Sequence, residues 1–588
     1  MRPRLWTRRA ETAGVAADRL AAAMGVAPVI ARLLVQRGLS DPDEAARFLA
    51  PRLEHLVDPF RLTDLGRAVD RLLAAIDGQE SIAIHGDYDV DGITSTVILR
   101  RAIELLGGRV AHFLPERVRD GYGLQVPAVE RLHADGVGLL VSVDCGIRSL
   151  DAAARARDLG IDLIVTDHHE PDATLPPALA VLNPKRADCA YPDKHLAGVG
   201  VALKLVHGLC ARRGREHWLP AFVKMAAIGT IADVVPLVGE NRVIAKLGLE
   251  LLSNGRHKIG LRALLEVAGL AGRQVDGHHV GFFLGPRLNA AGRMGSPELA
   301  ARLLLLDDER DAPLARDLAT RLDEENKKRQ AEEASILAAA RRAIEADPDI
   351  GAHNALVVAG EGWHRGVVGI VASKLVESFH RPVVVLAIED GVAHGSCRSI
   401  PAFDMLGGLE RCSDLLLRFG GHRQAAGLSL EAGRVGDFRR RLTAHANEVL
   451  EPDDLRPRLG VDLPLRLAEI TPALVEGLAQ LAPFGLGNDR PVFSSGGVEV
   501  VDGPSRLKER HLVMTVRQDG RRFRAIAWRA AERQPLFDAL RSGLDVAYHV
   551  ERNTFRDETT IELQVLDARA PGEATEDAPA SGAPEGMR

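Results

Sequence analysis

The chain has 588 residues, a formal net charge of −6 and 46% apolar residues. That length exceeds what one hydrophobic core sustains and implies three or four domains at about 100–200 residues each. Five scattered cysteines without a CxxC pair exclude the common zinc frameworks and a disulfide-stapled secreted protein. No apolar run reaches the ~18 residues of a membrane span, and the basic N-terminus lacks the apolar core of a signal peptide, so a cytoplasmic protein with no membrane partner is expected.

Residues 1–75 read as a helical lead-in, with helical apolar spacing over Val29–Leu39 and a good N-cap at Ser40. From 76 to 310 the pattern changes. SIAIHGD from Ser81, VAHFL from Val110, GLLVSVD ending at Asp144, DLIVTD ending at Asp167 and ALAVLNP ending at Pro184 are short apolar runs. Helical segments over Ile93–Leu106, near Val126–Ala134 and near Leu150–Leu159 separate them, and residues 196–305 are mostly helical. Strands alternating with helices imply an α/β fold with a parallel sheet covered on both faces.

Residues 311–346 read as one long charged helix, either solvated on one side or connecting two domains. A second, smaller α/β region follows over 347–452. Residues 453–568 carry five short strands (VFSSGGVEV, HLVMTV, RFRAIAW, LDVAYHV and TTIELQVL), the pattern of an OB-like β-barrel. The tail over 569–588 is rich in Pro, Ala, Gly and acid and is expected to be disordered.

Chemistry concentrates in HGDYDVDG at His85–Gly92. Asp87, Asp89 and Asp91 at alternate positions crowd like charges, which raises their pKa values unless a cation intervenes. The plain alternative is an Asp-rich turn capping the next helix. A calcium loop is disfavoured because Ile98 stands where its closing glutamate belongs. Asp144 and the run Asp167-His168-His169 end the next strongly apolar strands, and Asp233 follows AAIGTIA. In an open parallel sheet ligands gather at the carboxyl ends of strands. A carboxylate–imidazole cluster without thiolates suits paired Mn²⁺ or Mg²⁺ better than zinc, and two such ions hydrolyse phosphodiesters.

These residues resemble the DHH phosphoesterase superfamily, and in particular its bacterial single-strand-specific exonucleases. The supports are H-x-x-x-D-x-D at His85, Asp89 and Asp91, VSVDCG with Asp144, the Asp167-His168-His169 run and IADVVP with Asp233. LAGVGVALKL at Leu196, GPRLNAAGRM at Gly285, GWHRGVVGIVASKL at Gly362, GSCRS at Gly395 and GGHRQAAGLS at Gly420 extend the resemblance along nearly the whole chain. The resemblance implies a parallel-sheet DHH domain, a long connecting helix, a DHH-associated domain and the OB-like barrel.

It also implies one metal at His85, Asp89 and Asp144 and a second at Asp91, Asp144, His168 and Asp233. Asp87 would support the site from behind the ligands, and His169 would contact phosphate or protonate the leaving group. Ser396, Arg398 and His422 would grip a terminal 5′ phosphate, with Arg287 and Arg293 helping from the first domain; an ordinary salt bridge is the lesser alternative for those two arginines.

Residues 505–529 hold eight Lys/Arg against two Asp/Glu. On the barrel, Arg506, Lys508, Arg510, Arg521, Arg522 and Arg524 are candidates for a track along single-stranded backbone. Phe523 and Trp528 are candidates either for base stacking or for the core. The expected function is a metal-dependent 5′→3′ exonuclease on single-stranded DNA releasing 5′ mononucleotides in repair and recombination, with single-strand-binding protein and other repair factors as partners. The rivals are a small-substrate enzyme, such as an oligoribonuclease or adenosine bisphosphate phosphatase, and a catalytically inactive binding scaffold.

Overall fold

The computed structural model describes residues 4–9, 14–116, 119–121, 123–346, 353–555, 558–573 and 575–577. The chain divides into two compact units. One is Ala46–Gln330 with Ala482–Asp489, and the other is Met1–Ala45 with Ala331–Leu481 and Arg490–Arg588.

In the first unit, α1 (Leu65–Asp77) leads into alternating elements: β1 (Ser81–Gly86), α2 (Val90–Leu105), β2 (Arg109–Phe113), α3 (Val126–Ala134), β3 (Leu139–Val143), α4 (Leu150–Asp158), β4 (Asp162–Thr166) and β5 (Ala180–Leu182). The strands form one parallel sheet in the order β2-β1-β3-β4-β5. The order reverses between β1 and β3, so their carboxyl ends frame the crevice where such sheets bind ligands. Every residue of β3 is buried, which accounts for its unbroken apolar run.

Helices α5 (Gly198–Arg213), α6 (Leu219–Ala232), α7 (Gly239–Asn254), α8 (Ile259–Val267), α9 (Gly285–Met294) and α10 (Glu298–Leu305) complete the unit, and α11 (Ala312–Ala346) runs out of it. Helix α2 is buried along most of its length. Its sequence lacks a single apolar stripe because residues 90–99 are buried on every face, and only the C-terminal turns, ending in exposed Leu105, reach water. Its polar residues turn back on the helix: Thr94 Oγ1 donates to Val90 O at 2.7 Å and Thr96 Oγ1 to Gly92 O at 2.8 Å.

A buried polar knot ties α5 and α7 to the segment before the sheet. Lys204 Nζ donates to Glu240 and, at 2.8 Å, to Val57 O. Glu240 also accepts from the Tyr191 hydroxyl and from Val57 N at 2.9 Å. Lys204, Glu240 and Tyr191 are all buried.

The second unit holds two domains' worth of sheet. Strands β6 (Leu356–Glu361), β7 (Val383–Glu389), β8 (Val392–Arg398), β9 (Arg418–Gly421) and β10 (Ala425–Glu431) pair in the order β9-β10-β8-β7-β6, with α12 (Val368–Phe379), α13 (Met405–Glu410) and α14 (Val435–Val449) between and after them. Beyond β11 (Arg458–Val461), the short β12 (Leu463–Pro464) joins a sheet of β13 (Phe493–Leu507), β14 (His511–Gln518), β15 (Arg521–Ala527), β16 (Leu544–Phe555) and β17 (Glu558–Arg569). The order runs β12-β13-β14-β15-β17-β16, and β13 pairs with β16, so the five long strands close into the expected barrel.

Two expectations change. The lead-in is not wholly helical: Leu5–Arg8 is a strand, parallel to β11 on one side and to Glu576–Asp577 on the other. Trp6 anchors it, with Nε1 donating to Asp567 Oδ2 at 2.8 Å and the Arg569 guanidinium 4.0 Å from its ring centre. Part of the acidic tail is therefore strand, while residues 578–588 lie outside those described. No helix among the described residues is long and apolar enough to cross a membrane.

Removing one partner of a buried ion pair leaves the other charge without compensation, which costs roughly 3–5 kcal/mol. Lys204→Met is therefore expected to lower the first unit's unfolding midpoint by several degrees in scanning calorimetry, and Lys204→Arg, which keeps the charge, to lower it less.

Candidate metal centre

Strand β1 delivers His85 and Gly86 at the switch in strand order, and the chain turns directly into α2. His85 is thus a strand residue rather than part of the loop. Asp89 is the N-cap of α2: its Oδ1 accepts from Asp91 N at 2.9 Å and Gly92 N at 3.1 Å. The capping alternative raised by the sequence is therefore realised, and it coexists with the cluster because one carboxylate oxygen satisfies the helix end.

Asp91, in the first turn of α2, meets a second helix end. Its Oδ2 accepts from Gly198 N and its Oδ1 from Val199 N, both at 2.7 Å. Two helix N-termini thus point at the acids, where their partial positive charge offsets part of the crowding. Gly198 is required by contact: a Cβ there would stand 2.4 Å from Asp144 Oδ1.

Asp144 follows β3 with φ of 60°, a left-handed conformation uncommon outside glycine. His168 Nε2 lies 3.2 Å from Asp144 Oδ1, 3.6 Å from Asp233 Oδ2 and 3.9 Å from Asp91 Oδ2. Three groups have ligand atoms all within 4.8 Å of one another: Asp87, Asp89 and Asp144; Asp91, His168 and Asp233; Asp144, His168 and His169. Asp144 is common to the first and third and His168 to the second and third. Asp87, expected to support the ligands from behind, belongs to the first group, and His85 belongs to none of the three. The His85 ring is buried, with Nδ1 3.7 Å from Cys145 Sγ.

The protonation states follow from this packing. Burial, then the charges of Asp233 and Asp89, raises Asp91. Burial, then Asp91 and the other acids, raises Asp144. Burial and Asp89 push Asp233 up to about 7. Burial pushes His168 down to about 3, with the neighbouring His169 adding to it, and His85 down to about 4. Neutral imidazoles beside carboxylates that resist ionisation form a donor set short of positive charge.

His169 is set apart. Burial works against its charged form, but the hydrogen bond with Asp167 and the negative charges of Asp167, Asp233 and Asp87 together outweigh that and raise it. Its Nδ1 stands 2.7 Å from Asp167 Oδ1, which also accepts from His168 N at 2.7 Å and His169 N at 3.0 Å, while Oδ2 accepts from Ile147 N at 2.9 Å. Asp167 thereby fixes the ring's orientation and assigns proton exchange to Nε2. The sequence marked Asp167 only as part of a motif; an acid immediately before two histidines was the available signal.

A cavity of about 270 Å³ opens over the cluster, lined by Asp87, Asp89, Asp91, His169 and Asp233 together with Tyr88, Asn289 and Arg293. Arg293 thus faces the acids. Arg287 does not line the cavity; it pairs with Asp323 at 2.9 Å and donates to Phe283 O at 2.8 Å. Its ordinary salt bridge is what the structure contains. Tyr88 and Asn289 lie inside quoted motifs but were not singled out from the sequence.

In the second unit, Ser396 and Arg398 end β8 side by side, with Arg398 Nη1 3.2 Å from Ser396 Oγ. The first turn of α12 abuts them: a Cβ on Gly369 would lie 3.0 Å from Ser396 Oγ and 3.5 Å from Arg398 Nη2. His422 is exposed in the turn between β9 and β10. On the barrel, Arg506, Lys508, Arg510, Arg521 and Arg522 are exposed. Arg524 is also exposed but pairs with Glu562 at 2.5 Å. Phe523 shares strand parity with buried Ala525 and Ala527, whereas Trp528 is exposed with its ring against His511.

The chain matches the DHH family, N-terminal domain, over residues 81–230, the DHHA1 domain over 352–448 and the RecJ OB domain over 461–567. It is 35% identical over 573 residues to the single-stranded-DNA-specific exonuclease RecJ of Escherichia coli, covering 91% of this chain and 95% of that protein. It is 39% identical over 513 residues to the Bacillus subtilis protein of that name, covering 87% of this chain and 64% of that longer relative. Among solved structures, Mn²⁺-bound RecJ from Thermus thermophilus superposes with a TM-score of 0.83 at 33% identity, over 97% of this chain and 80% of that one. The strand order, the acid–histidine cluster and these matches agree: the chain belongs to the RecJ family of DHH phosphoesterases.

Proposed function

We propose that this chain is an exonuclease that enters single-stranded DNA at the 5′ end, releases 5′ mononucleotides and serves repair and recombination, using two divalent ions, Mn²⁺ or Mg²⁺. The observation that carries the reading is Asp144. Its carboxylate is shared between groups of potential ligands, and its Oδ1 is buried without a hydrogen-bond partner, as are His168 Nε2 and Asp233 Oδ2 facing it. Buried polar atoms are otherwise almost always paired, and oxygen and imidazole donors in this combination fit Mn²⁺ or Mg²⁺. The names of the relatives support the substrate, and the Thermus structure supports the metal.

Asp87, Asp89 and Asp144 would hold one ion, and Asp91, Asp144, His168 and Asp233 the other, with His85 behind the first. Bound there, the ions supply an activated water and neutralise the phosphoryl oxygens. The chain's own residues do the rest. Arg293 grips a phosphate oxygen pair from the cavity wall. His169, oriented by Asp167, gives a proton to the leaving oxygen. Ser396 and Arg398, beside the N-terminal turn of α12, take a terminal phosphate and set the direction of digestion, with His422 adding an imidazole. Arg506, Lys508, Arg510, Arg521 and Arg522 lead the trailing strand; Arg524, held by Glu562, contributes less. Single-strand-binding protein and other repair factors are the proposed protein partners.

Three outcomes test this reading. Asp144→Ala is expected to reduce hydrolysis of labelled single strands by roughly a thousandfold or more and to abolish Mn²⁺ binding at one or both positions in calorimetry. Arg398→Ala should retain Mn²⁺ affinity but lose the preference for strands bearing a 5′ phosphate over those with a 5′ hydroxyl.

The third concerns pH. Asp233 titrates near 7 and Asp91 and Asp144 are raised, so protons compete with the cation below neutrality. A carboxylate raised in the folded state makes the metal-free fold less stable as pH climbs from its ordinary value to its folded value, the range in which only the unfolded chain has given up the proton. Mn²⁺ should therefore bind more tightly at pH 8 than at pH 6 with net proton release, and raise the melting temperature more at the higher pH.

A further inference from the structure

We propose that Tyr88 packs its ring against the base of the nucleotide being removed, so that the metal cavity grips the nucleoside as well as the phosphate. The proposal rests on the cavity being the site of phosphodiester hydrolysis. Tyr88 stands between Asp87 and Asp89 and lines the same cavity of about 270 Å³. That volume is at the lower end of small-molecule sites, about 300–1,000 Å³, and matches one nucleotide rather than an oligomer. The other lining side chains are carboxylates, an imidazole, an amide, a guanidinium or small groups such as Val90 and Ala232. Among the described lining residues, Tyr88 is thus the one large apolar surface in a cavity otherwise suited to phosphate and cations.

The ring's origin is fixed. Helix α9 lies against the backbone of Tyr88: a Cβ on Gly292 would come 2.5 Å from Tyr88 O and 3.6 Å from Tyr88 Cβ. Two residues on, Asn289 Oδ1 accepts from Val90 N at 3.1 Å. GPRLNAAGRM is thereby a clamp that holds the acid loop and aims Tyr88, while Arg293 from the same motif faces the acids. Tyr88 is half-buried, held at its root and accessible towards the cavity. An aromatic face accepts any base without reading sequence. It also requires that base to be unpaired, which makes Tyr88 a determinant of single-strand selectivity at the cleavage point.

The test uses the full-length Mn²⁺-loaded protein, with calorimetric affinities for deoxyadenosine 5′-monophosphate, deoxyribose 5-phosphate and inorganic phosphate. Tyr88→Ala is expected to weaken deoxyadenosine monophosphate by about tenfold, the scale of one base–aromatic stack. It should leave the two base-free ligands and Mn²⁺ unchanged, and Tyr88→Phe should bind all of them like the wild type. Equal loss on the three ligands, a loss of Mn²⁺ affinity, or no loss on the nucleotide overturns the proposal. Digestion of end-labelled strands by the wild type tests the hydrolytic reading separately: nucleotide binding that depends on Tyr88 without strand cleavage would sink that reading alone.

Discussion

Crowding of like charge governs this molecule. Asp87, Asp89, Asp91, Asp144 and Asp233 converge beside a cavity whose wall carries Arg293, and the neutral His168 at their centre adds no positive charge. The fold tolerates this in two ways. It aims the N-terminal turns of α2 and α5 at Asp89 and Asp91, and burial together with the neighbouring acids raises the pKa of Asp91, Asp144 and Asp233. Neither removes the repulsion fully, and the remaining demand for positive charge is what a cation pair satisfies.

The scaffold is arranged to keep that cluster rigid. Strand order reverses beside β1, so three strand ends and the first turn of a buried helix meet at one point. Burial of residues 90–99 of α2 on all faces holds its first turns in place, and the Lys204–Glu240–Tyr191 knot fixes α5, whose first turn holds Asp91. The positive φ of Asp144 belongs to the same design: a strained residue persists only where its surroundings over-determine it, and here Gly198 closes against its carboxylate.

Much of this was legible in the sequence. Acids and histidines at the ends of apolar runs announced a site at strand termini, and the strand pattern after Val492 announced a barrel. What was hidden is non-local. Nothing near Asp91 in the chain says that Gly198 and Val199 will donate to it, and nothing near Arg287 names Asp323 as its partner. Likewise, the strand Leu5–Arg8 becomes a strand only by pairing with Arg458–Val461, and a short segment with a distant partner carries little signal of its own. The place of His85 is likewise set by packing: β1 runs one residue past it, and its buried ring lies beside Cys145.

The chemistry divides along the same lines as the folding. Hydrolysis requires only the cluster and the cavity of the first unit, and any phosphoester that reaches it satisfies that requirement. Direction and strand preference need groups that recognise something other than the scissile bond. Ser396 and Arg398 can recognise a terminal phosphate, the exposed arginines of the barrel a polyanion, and Tyr88 an unpaired base. Ser396, Arg398 and the barrel arginines sit on elements of the second unit, whereas Tyr88 shares its loop and its α9 support with Asp87 and Asp89. On the proposed assignments, exonuclease specificity is a set of contacts added to a site whose own charge problem dictates only that it hold metal.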